Sequence, residues 1–507
     1  MKKSANKTNY MKGAAILLIT MCLLPFGSAK AQTIQSAQYK LTTCQGINVV
    51  VRESATGTPV ISFRKNESTY TSAGAHFVYG DLDANTAKEF VIPDTLLVLN
   101  NRIRYFVNDM RVVGDMCYFC GVREYVHGEV DPETGLMVID SVGILGRFRL
   151  DPSGFGTPVK FDLRHFSKTK SLDRMVVCAN VFDTVIAMTG MRRVSPSLSC
   201  LMVVRKIASW SLPWEYGIWS TANNPLEVFT DIAADADNIT IASYGRNNDG
   251  KNHFCLRKAL KYNLFGYSIG TIYDSLYTYS TNKDSLCISF VRPGYAEVRL
   301  SAVPWKQKAY AAFSCSLNAC DSMRCQTAMC EINTGNMMLN NIQIVQKMYG
   351  TPHTLVDTKY LYKTDGDEST ASVALLHLTE DDYHTVVEYP RALVSSYAGA
   401  APRALVQRME EERMQSVSTY SGNDVRLGGM MSSSLPVLTY IQETLPVIHD
   451  GSMCMQNGDA DILISGPLSP GRSKNALVED DDNLTRFSWG LKTSVPMEVN
   501  ADNICRY

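Results

Sequence analysis

The chain reads as an all-β protein, and the architecture that fits best is a β-propeller of seven blades of about 60 residues each. Three observations lead there. Short runs rich in β-branched residues recur from end to end, no parallel βαβ pattern interrupts them, and an Asp-centred strand entry repeats along the chain. The runs include Val49-Val50-Val51, Val60-Ile61-Ser62-Phe63, Ile239-Thr240-Ile241-Ala242, Ala296-Glu297-Val298-Arg299-Leu300 and Ser372-Val373-Ala374-Leu375-Leu376, each with Gly, Asn, Asp or Pro nearby.

The repeat is clearest in two places. Val107-Asn108-Asp109-Met110 leads through Gly114-Asp115 into Met116 to Cys120 and stops at Gly121, and Phe229-Thr230-Asp231-Ile232 leads through Asp237-Asn238 into Ile239 to Tyr244 and stops at Gly245. Leu172-Asp173 and Leu355-Val356-Asp357 precede two further strand-rich units, and units near Val49, Glu297 and Thr419 bring the total to seven. Four strands per unit, joined by turns, can pack radially so that only short edges stay open. Leu484 to Trp489 is then expected to be the strand that closes the ring against the first blade. Tandem β-sandwich domains are the alternative. The one helical pattern is Pro402 to Met414, with Pro near its start and Ala404, Leu405, Arg408, Met409 and Glu412 at helical spacing, which predicts a short inserted helix near 402–414.

At the N-terminus, Lys2, Lys3, Lys7 and Lys12 precede an apolar stretch from Ala14 to Phe26, and Ala29-Lys30-Ala31 places small residues where a signal peptidase reads them. Residues 1–31 are therefore expected to be a signal peptide cleaved before Gln32, leaving 32–507 as one propeller domain. That segment carries five of the 49 basic residues and no acid, so 44 basic residues then face 50 acidic ones. A mildly negative chain with no Lys/Arg-rich run is a poor partner for nucleic acid. No later stretch approaches the ~20 apolar residues of a membrane span, so no membrane span is expected. Hydrophobic residues at 45% and charged residues at 20% exclude a disordered, collagen-like or coiled-coil chain.

Fourteen cysteines suit an exported protein. Cys315, Cys320, Cys325 and Cys330 follow one another at intervals of five. A hairpin turning through Asp321-Ser322-Met323-Arg324 would set Cys320 opposite Cys325 and Cys315 opposite Cys330, close enough for two disulfides. A four-Cys zinc site competes, but structural zinc sites show closer pairs separated by a longer loop. Cys117-x-x-Cys120 lies within a strand pattern, whereas a thioredoxin-type motif opens a helix.

The segment Asn108-Asp109-Met110, Gly114-Asp115 and Cys117-Tyr118-Phe119-Cys120-Gly121 resembles one found in uncharacterised secreted β-propeller-like proteins of Gram-negative bacteria. The resemblance spans about one blade in seven. It implies an exported propeller and brings no catalytic residue with it.

Catalytic residues stay unknown, because the sequence holds no Walker loop, dinucleotide fingerprint, H-E-x-x-H or G-x-S-x-G. Three features suggest sites beside plainer readings. Trp210, Trp214, Tyr216 and Trp219 would form an aromatic platform for a sugar or peptide if displayed on a loop; packing between blades is the other reading. The acidic turns Asp235-Ala236-Asp237-Asn238, Asp365-Gly366-Asp367-Glu368 and Glu479-Asp480-Asp481-Asp482 could hold Ca²⁺ or be solvated turns, and none has the spacing of a calcium loop, so no metal or cofactor is assigned. The tripeptide Asp-Ser/Thr-aliphatic or Met occurs six times and is similar to an O-glycosylation acceptor of exported proteins in some Gram-negative bacteria. It marks Thr95, Ser141, Thr184, Ser275, Ser285 and Ser322.

Together these features predict an exported binding or scaffolding protein at the cell envelope or outside it, recognising a protein or glycan through propeller loops. The alternative is an extracellular hydrolase or lyase acting on a polymer, its carboxylates or His gathered near the axis from several blades.

Overall fold

Pro59–Lys65 and Gly74–Tyr79 are buried at nearly every position, without the alternation of a half-exposed strand. Such strands need cover on both faces, and sheets stacked around an axis supply it. The computed structural model describes residues 33–41, 46–54, 57–66, 73–80, 87–150, 160–179, 184–193, 198–205, 215–221, 228–246, 252–261, 276–278, 298–316, 325–336, 338–345, 353–361, 372–379, 384–389, 403–408, 413–420, 424–430 and 436–444, with seven short strands between 455 and 505. These residues form seven antiparallel sheets.

After β1 (Thr33–Lys40), blade 1 holds β2 (Gly46–Glu53), β3 (Pro59–Lys65), β4 (Gly74–Tyr79) and β5 (Lys88–Pro93). Blade 2 holds β6 (Thr95–Leu96), β7 (Arg102–Val113), β8 (Met116–Val130), β9 (Met137–Arg149) and β10 (Lys160–Phe166). Blade 3 is β11 (Thr169–Ala179), β12 (Thr184–Arg192), β13 (Ser199–Arg205) and β14 (Glu215–Thr221), and blade 4 is β15 (Val228–Ala234), β16 (Asn238–Arg246), β17 (Asn252–Leu260) and β18 (Leu276–Thr278). Blade 5 is β19 (Val298–Ala302), β20 (Lys308–Ser316), β21 (Cys325–Asn333) and β22 (Met338–Val345); blade 6 is β23 (His353–Leu361), β24 (Ser372–Thr379), β25 (His384–Tyr389) and β26 (Arg403–Arg408). Blade 7 is β27 (Arg413–Tyr420), β28 (Asp424–Met430) and β29 (Pro436–Thr444), completed by β1.

The inner strands meet in sequence, β2 on β7, then β11, β15, β19, β23 and β27, and β27 returns to β2. The ring is closed, and the chain is a seven-bladed β-propeller. Closure is made by β1, which lies antiparallel to β29 from Thr33 opposite Thr444 to Lys40 opposite Val437. The N- and C-terminal parts of the ring are thus joined through one sheet.

The remaining seven strands, β30 (Met455–Asp459), β31 (Ile462–Ile464), β32 (Gly471–Ser473), β33 (Leu477–Asp480), β34 (Leu484–Gly490), β35 (Val495–Pro496) and β36 (Asn500–Cys505), form a belt. They add an outer strand to blades 6, 5, 4, 3, 2, 1 and 7 in that order, the fifth in each sheet but the sixth in blade 2, so the tail travels back around the disc. This corrects the expected role of Leu484 to Trp489, which is a strand but pairs with β10 at the rim of blade 2. The last strand, β36, covers β1 itself.

The core lies between blades. Val50, Val60, Phe77 and Phe90 of blade 1 pack against Ile103, Tyr105, Phe119 and Phe148 of blade 2. Phe77 meets Phe119 at 5.0 Å and Phe148 at 4.9 Å between ring centroids, in tilted and edge-on geometry. Each such ring contributes about 1.5–3 kcal/mol by leaving water. A Cβ on Gly146 would stand 2.1 Å from the Phe119 ring, so this contact requires glycine there. Cys117 faces this core, while Cys120, three residues on, faces the core between blades 2 and 3 with Met175, Met188 and Met202. Both are buried free thiols.

Two expectations are corrected. The described residues of the segment 402–414 are strand and not helix: Arg403–Arg408 lies between β25 and β30, and Arg413 begins β27. Helical spacing over one or two turns is weak, and an open blade edge overrides it. The hairpin carrying Cys315 and Cys330 forms, but its register places Cys315 opposite Gln326 and Cys330 opposite Ala311. Cys330 is a buried free thiol, and Cys325 stands opposite Ser316. Cys320 lies outside the described residues.

Candidate functional site

Near the start of most inner strands the pairing with the second strand skips a residue, a β-bulge that aims side chains at the propeller axis. The skip falls between Val107 and Asp109, Leu172 and Arg174, Phe229 and Asp231, and Leu355 and Asp357. Asp109, Asp231 and Asp357 each accept the N–H of their own next residue, at 2.9, 2.9 and 3.0 Å. Asp109 also accepts Met175 N–H of blade 3, as Asp231 accepts Leu300 N–H of blade 5. Met175 follows Arg174 and Leu300 follows Arg299. The equivalent positions on blades 2 to 6 therefore read Asp109, Arg174, Asp231, Arg299, Asp357, alternating in charge.

The bulged residues stitch the same blades together. Asn48 donates to Asn108 Oδ1 at 3.1 Å, Asn108 donates to Leu172 O and Asp173 Oδ1 at 3.1 Å each, and Thr230 Oγ1 donates to Val298 O at 2.8 Å.

Arg52 and Arg111 interact with Asp109, Lys359 with Glu53 and Asp357, and Asp173 with Arg174, so further charges of both signs couple to this series. Asp109 is fully buried and lies 2.6 Å from both Arg52 and Arg111. Burial pushes its carboxyl up, but Arg111, Arg52 and Arg174 with the Met175 N–H outweigh that and hold it well below the usual carboxylate range. Asp231 moves the other way, since burial outweighs Arg174 and Arg299 and raises it. Burial also raises Asp173 and lowers Lys359, and it brings Arg299 down to about 10. The axis thus joins one firmly ionised carboxylate to others held nearer neutrality.

A second feature stands on blade 2. β8 and β9 extend as a ribbon past their neighbours, beside the turn from Leu97 to Asn101. Among the residues whose burial is described, the exposed large apolar side chains are Leu96–Leu99, Val130 and Leu136–Ile139. Val98 is 81% exposed, Leu99 82% and Leu136 69%. Leu99 and Asn100 both adopt the left-handed backbone region, at φ of 62° and 60°, which is costly for leucine. Gly128 N–H donates to Asn101 Oδ1 at 2.7 Å, and a Cβ on Gly128 would sit 2.1 Å from Leu99 O. The turn is therefore pinned to the ribbon. Nothing in the alternation of the sequence distinguished Leu136–Ile139 from a buried strand.

The residues singled out in the sequence are dispersed. Tyr216 and Trp219 occupy β14 inside blade 3, opposite Val204 and Leu201, and not a loop; Trp210 and Trp214 lie outside the described residues. Thr95, Ser141 and Thr184 are half-buried strand residues, and the neighbouring Asp94 is committed to a buried ion pair with Arg64 at 2.6 Å. Ser275, Ser285 and Ser322 lie outside the described residues. In the turn Asp235 to Asn238, Asp235 Oδ1 accepts the N–H of Asp237 and of Asn238, and Oδ2 accepts Thr334 Oγ1–H from blade 5. That carboxylate ties two blades together. Among the described residues no group of three or more His, Cys, Asp or Glu is placed to hold a metal, and no helix is long and apolar enough to cross a membrane.

No family model and no curated protein matches the chain, so the resemblance to secreted propeller-like proteins stays at the level of the fold. Among solved structures, the Penicillium chrysogenum alpha-L-arabinanase complexed with arabinobiose is similar at 8% identity and a TM-score of 0.36, over 82% of this chain and 98% of that one. A thermostable family-43 glycoside hydrolase is similar at 11% identity and a TM-score of 0.26, over 60% and 96%. NanB with Optactamide is similar at 8% identity and a TM-score of 0.36, over 84% and 72%.

Proposed function

We propose that the chain is an exported binding or scaffolding propeller of the bacterial cell envelope or the space outside it, engaging a protein partner through the blade 2 crest. One observation carries this reading: among residues whose burial is described, the exposed large apolar side chains gather at that crest. A contiguous apolar patch held out from a rigid disc by a strained turn is the usual form of a protein contact surface. Export rests on the signal-like segment 1–31, outside the described residues. β1 begins at Thr33, so cleavage before Gln32 would leave the closing strand whole. Modification at the six Asp-Ser/Thr positions belongs to the same reading, and the intact mass of the exported protein tests it.

The test of the main reading is cross-linking of the tagged protein in its own envelope, followed by stringent capture and mass spectrometry. The same few envelope proteins should appear with the natural chain and disappear with Val98→Lys/Leu136→Lys. Partners that persist with that variant would reject the crest as the binding face.

A second reading, a hydrolase or lyase acting on an extracellular polymer, is favoured by the opposite displacements of Asp109 and Asp231 at the axis. It predicts polysaccharide turnover abolished by Asp231→Asn, whereas a binder shows none to lose.

A further inference from the structure

β8 and β9 outrun the strands on either side of them. β7 accompanies β8 only as far as Val126, opposite Arg102, and β10 meets β9 only from Gly143, opposite Phe166. Met137 to Val142 pairs with β8 alone, and among the described residues no strand pairs with its other edge. Leu136, Met137, Val138 and Ile139 are consecutive and all exposed. Neighbouring strand residues point to opposite faces, so both faces of the ribbon stand in solvent. The β8 edge is covered by the turn at Leu97–Asn101 through Gly128, which leaves the β9 edge open.

Open edges are normally blunted by Lys, Pro, a bulge or a covering segment. Met137-Val138-Ile139-Asp140-Ser141-Val142 has only Asp140, already engaged by His127 and Arg193. At ~3.3 Å per residue the edge runs about 20 Å, room for one added strand of five or six residues.

We propose that the Met137–Val142 edge of β9 accepts an extended segment of a partner protein as an additional strand, and that this segment alternates apolar residues with Lys or Arg. The inference rests on the reading of the crest as a binding face and names how that face works. Main-chain ladder bonds supply the attachment, and the exposed apolar side chains select apolar residues on the incoming strand. The charge follows from the ribbon itself: no Lys or Arg occurs between Arg123 and Arg147, while Glu129, Asp131 and Glu133 stand at its tip, beyond Asp140 with its Arg193 partner. A second copy of this chain is disfavoured, since its own Met137–Val142 edge carries no Lys or Arg to complement the acidic ribbon.

The test uses the full chain and three synthetic peptides: Lys-Val-Lys-Val-Lys-Val-Lys, its Glu-Val counterpart, and the Lys-Val peptide N-methylated at alternate residues. The Lys-Val peptide should bind and slow amide exchange within Met137–Val142. The Glu-Val and N-methylated peptides should bind at least tenfold more weakly, and Val138→Lys/Ile139→Lys should abolish binding with no change in Tm. Equal binding of the N-methylated peptide, lost in that variant, would overturn edge pairing while the crest remained a binding face. Equal binding of the Glu-Val peptide would overturn the charge assignment. Peptide protection only outside the crest, with envelope partners unaffected by Val98→Lys/Leu136→Lys, would overturn the inference and the reading beneath it together.

Discussion

Asp109 on blade 2 accepts the backbone N–H of Met175 on blade 3 at 3.0 Å, and Asp231 on blade 4 accepts that of Leu300 on blade 5 at 2.7 Å. The same side chain at the same bulge thus fastens alternate blades to their successors, while Arg174 and Arg299 fill the intervening positions. A ring of seven sheets has no single core, and these bonds hold inner strands in register where blades converge.

The two aspartates should respond differently to substitution. In each, Asn keeps one of the two backbone N–H bonds and loses the other, a cost common to both of about 1–3 kcal/mol. The difference isolates charge. Asp109 is held below its ordinary range, so its ionised form contributes stability that is present at neutral pH and lost as pH falls through the folded value. Asp231 is raised, so its ionised form opposes folding at neutral pH. Asp109→Asn leaves Arg52 and Arg111 without their carboxylate and should cost about 3–5 kcal/mol in total, at least ~2 kcal/mol more than Asp231→Asn, by urea midpoints at pH 7. Equal costs would mean that the axial charges do not act as placed.

This ring also shows how far the sequence could be read. Asp109, Asp231 and Asp357 made the repeat visible because three blades use the same residue at the bulge. Asp173 was counted with them but is the bulged residue itself, one position early, and Arg174 is the true counterpart. Blade 5 escaped because Arg299 holds its place, so a search for identity missed a periodicity of role. The crest was illegible for a different reason: Leu136–Ile139 has the composition of a buried strand, and only the unequal lengths of β7 to β10 leave it in solvent. The belt has strands of two to seven residues that need only a free edge, and so little patterning constrains them.

His165 predicts a pH dependence. Burial, with Arg123 nearby, lowers its imidazole to about 4, against an ordinary value near 6.5. Between those values the unfolded chain binds a proton that the folded chain does not, so stability rises with pH there. It should be whole above about pH 6.5 and fall by about 3 kcal/mol as pH drops to 4. His165→Gln should flatten that slope in urea midpoints taken from pH 7 to 4. An unchanged slope would assign the effect to other groups.

The thiols of Cys117, Cys120, Cys178 and Cys330 should resist modification in the native state. All four are buried, and burial raises each, Cys178 to about 11 and Cys330 to about 12, so almost no thiolate is present at neutral pH. Mass tagging with a maleimide should spare these four in the folded protein and label them after unfolding without reductant. Labelling that needs reductant would show that they are bridged.

The belt should prove the least stable layer, and its longest strand is the place to test it. β34 pairs with β10 from Leu484 opposite Phe166 to Gly490 opposite Lys160, and alternate amides of an edge strand point toward its neighbour. Substituting two consecutive residues, Arg486→Pro/Phe487→Pro, must therefore remove at least one amide that faces β10. Each ladder bond lost costs about 1 kcal/mol, and the change falls on the outermost pairing only. Amide exchange across Lys160–Phe166 should accelerate tenfold or more, whereas Arg102–Val113 on the inner strand should keep its protection, because β7 is held by β8 and the axis. Truncation before Asn500 is the companion variant. It uncovers β1, the strand that closes the ring, and should loosen Thr33–Lys40 and β29 together. If the proline pair leaves exchange in β10 unchanged, the belt does not hold the rim of blade 2.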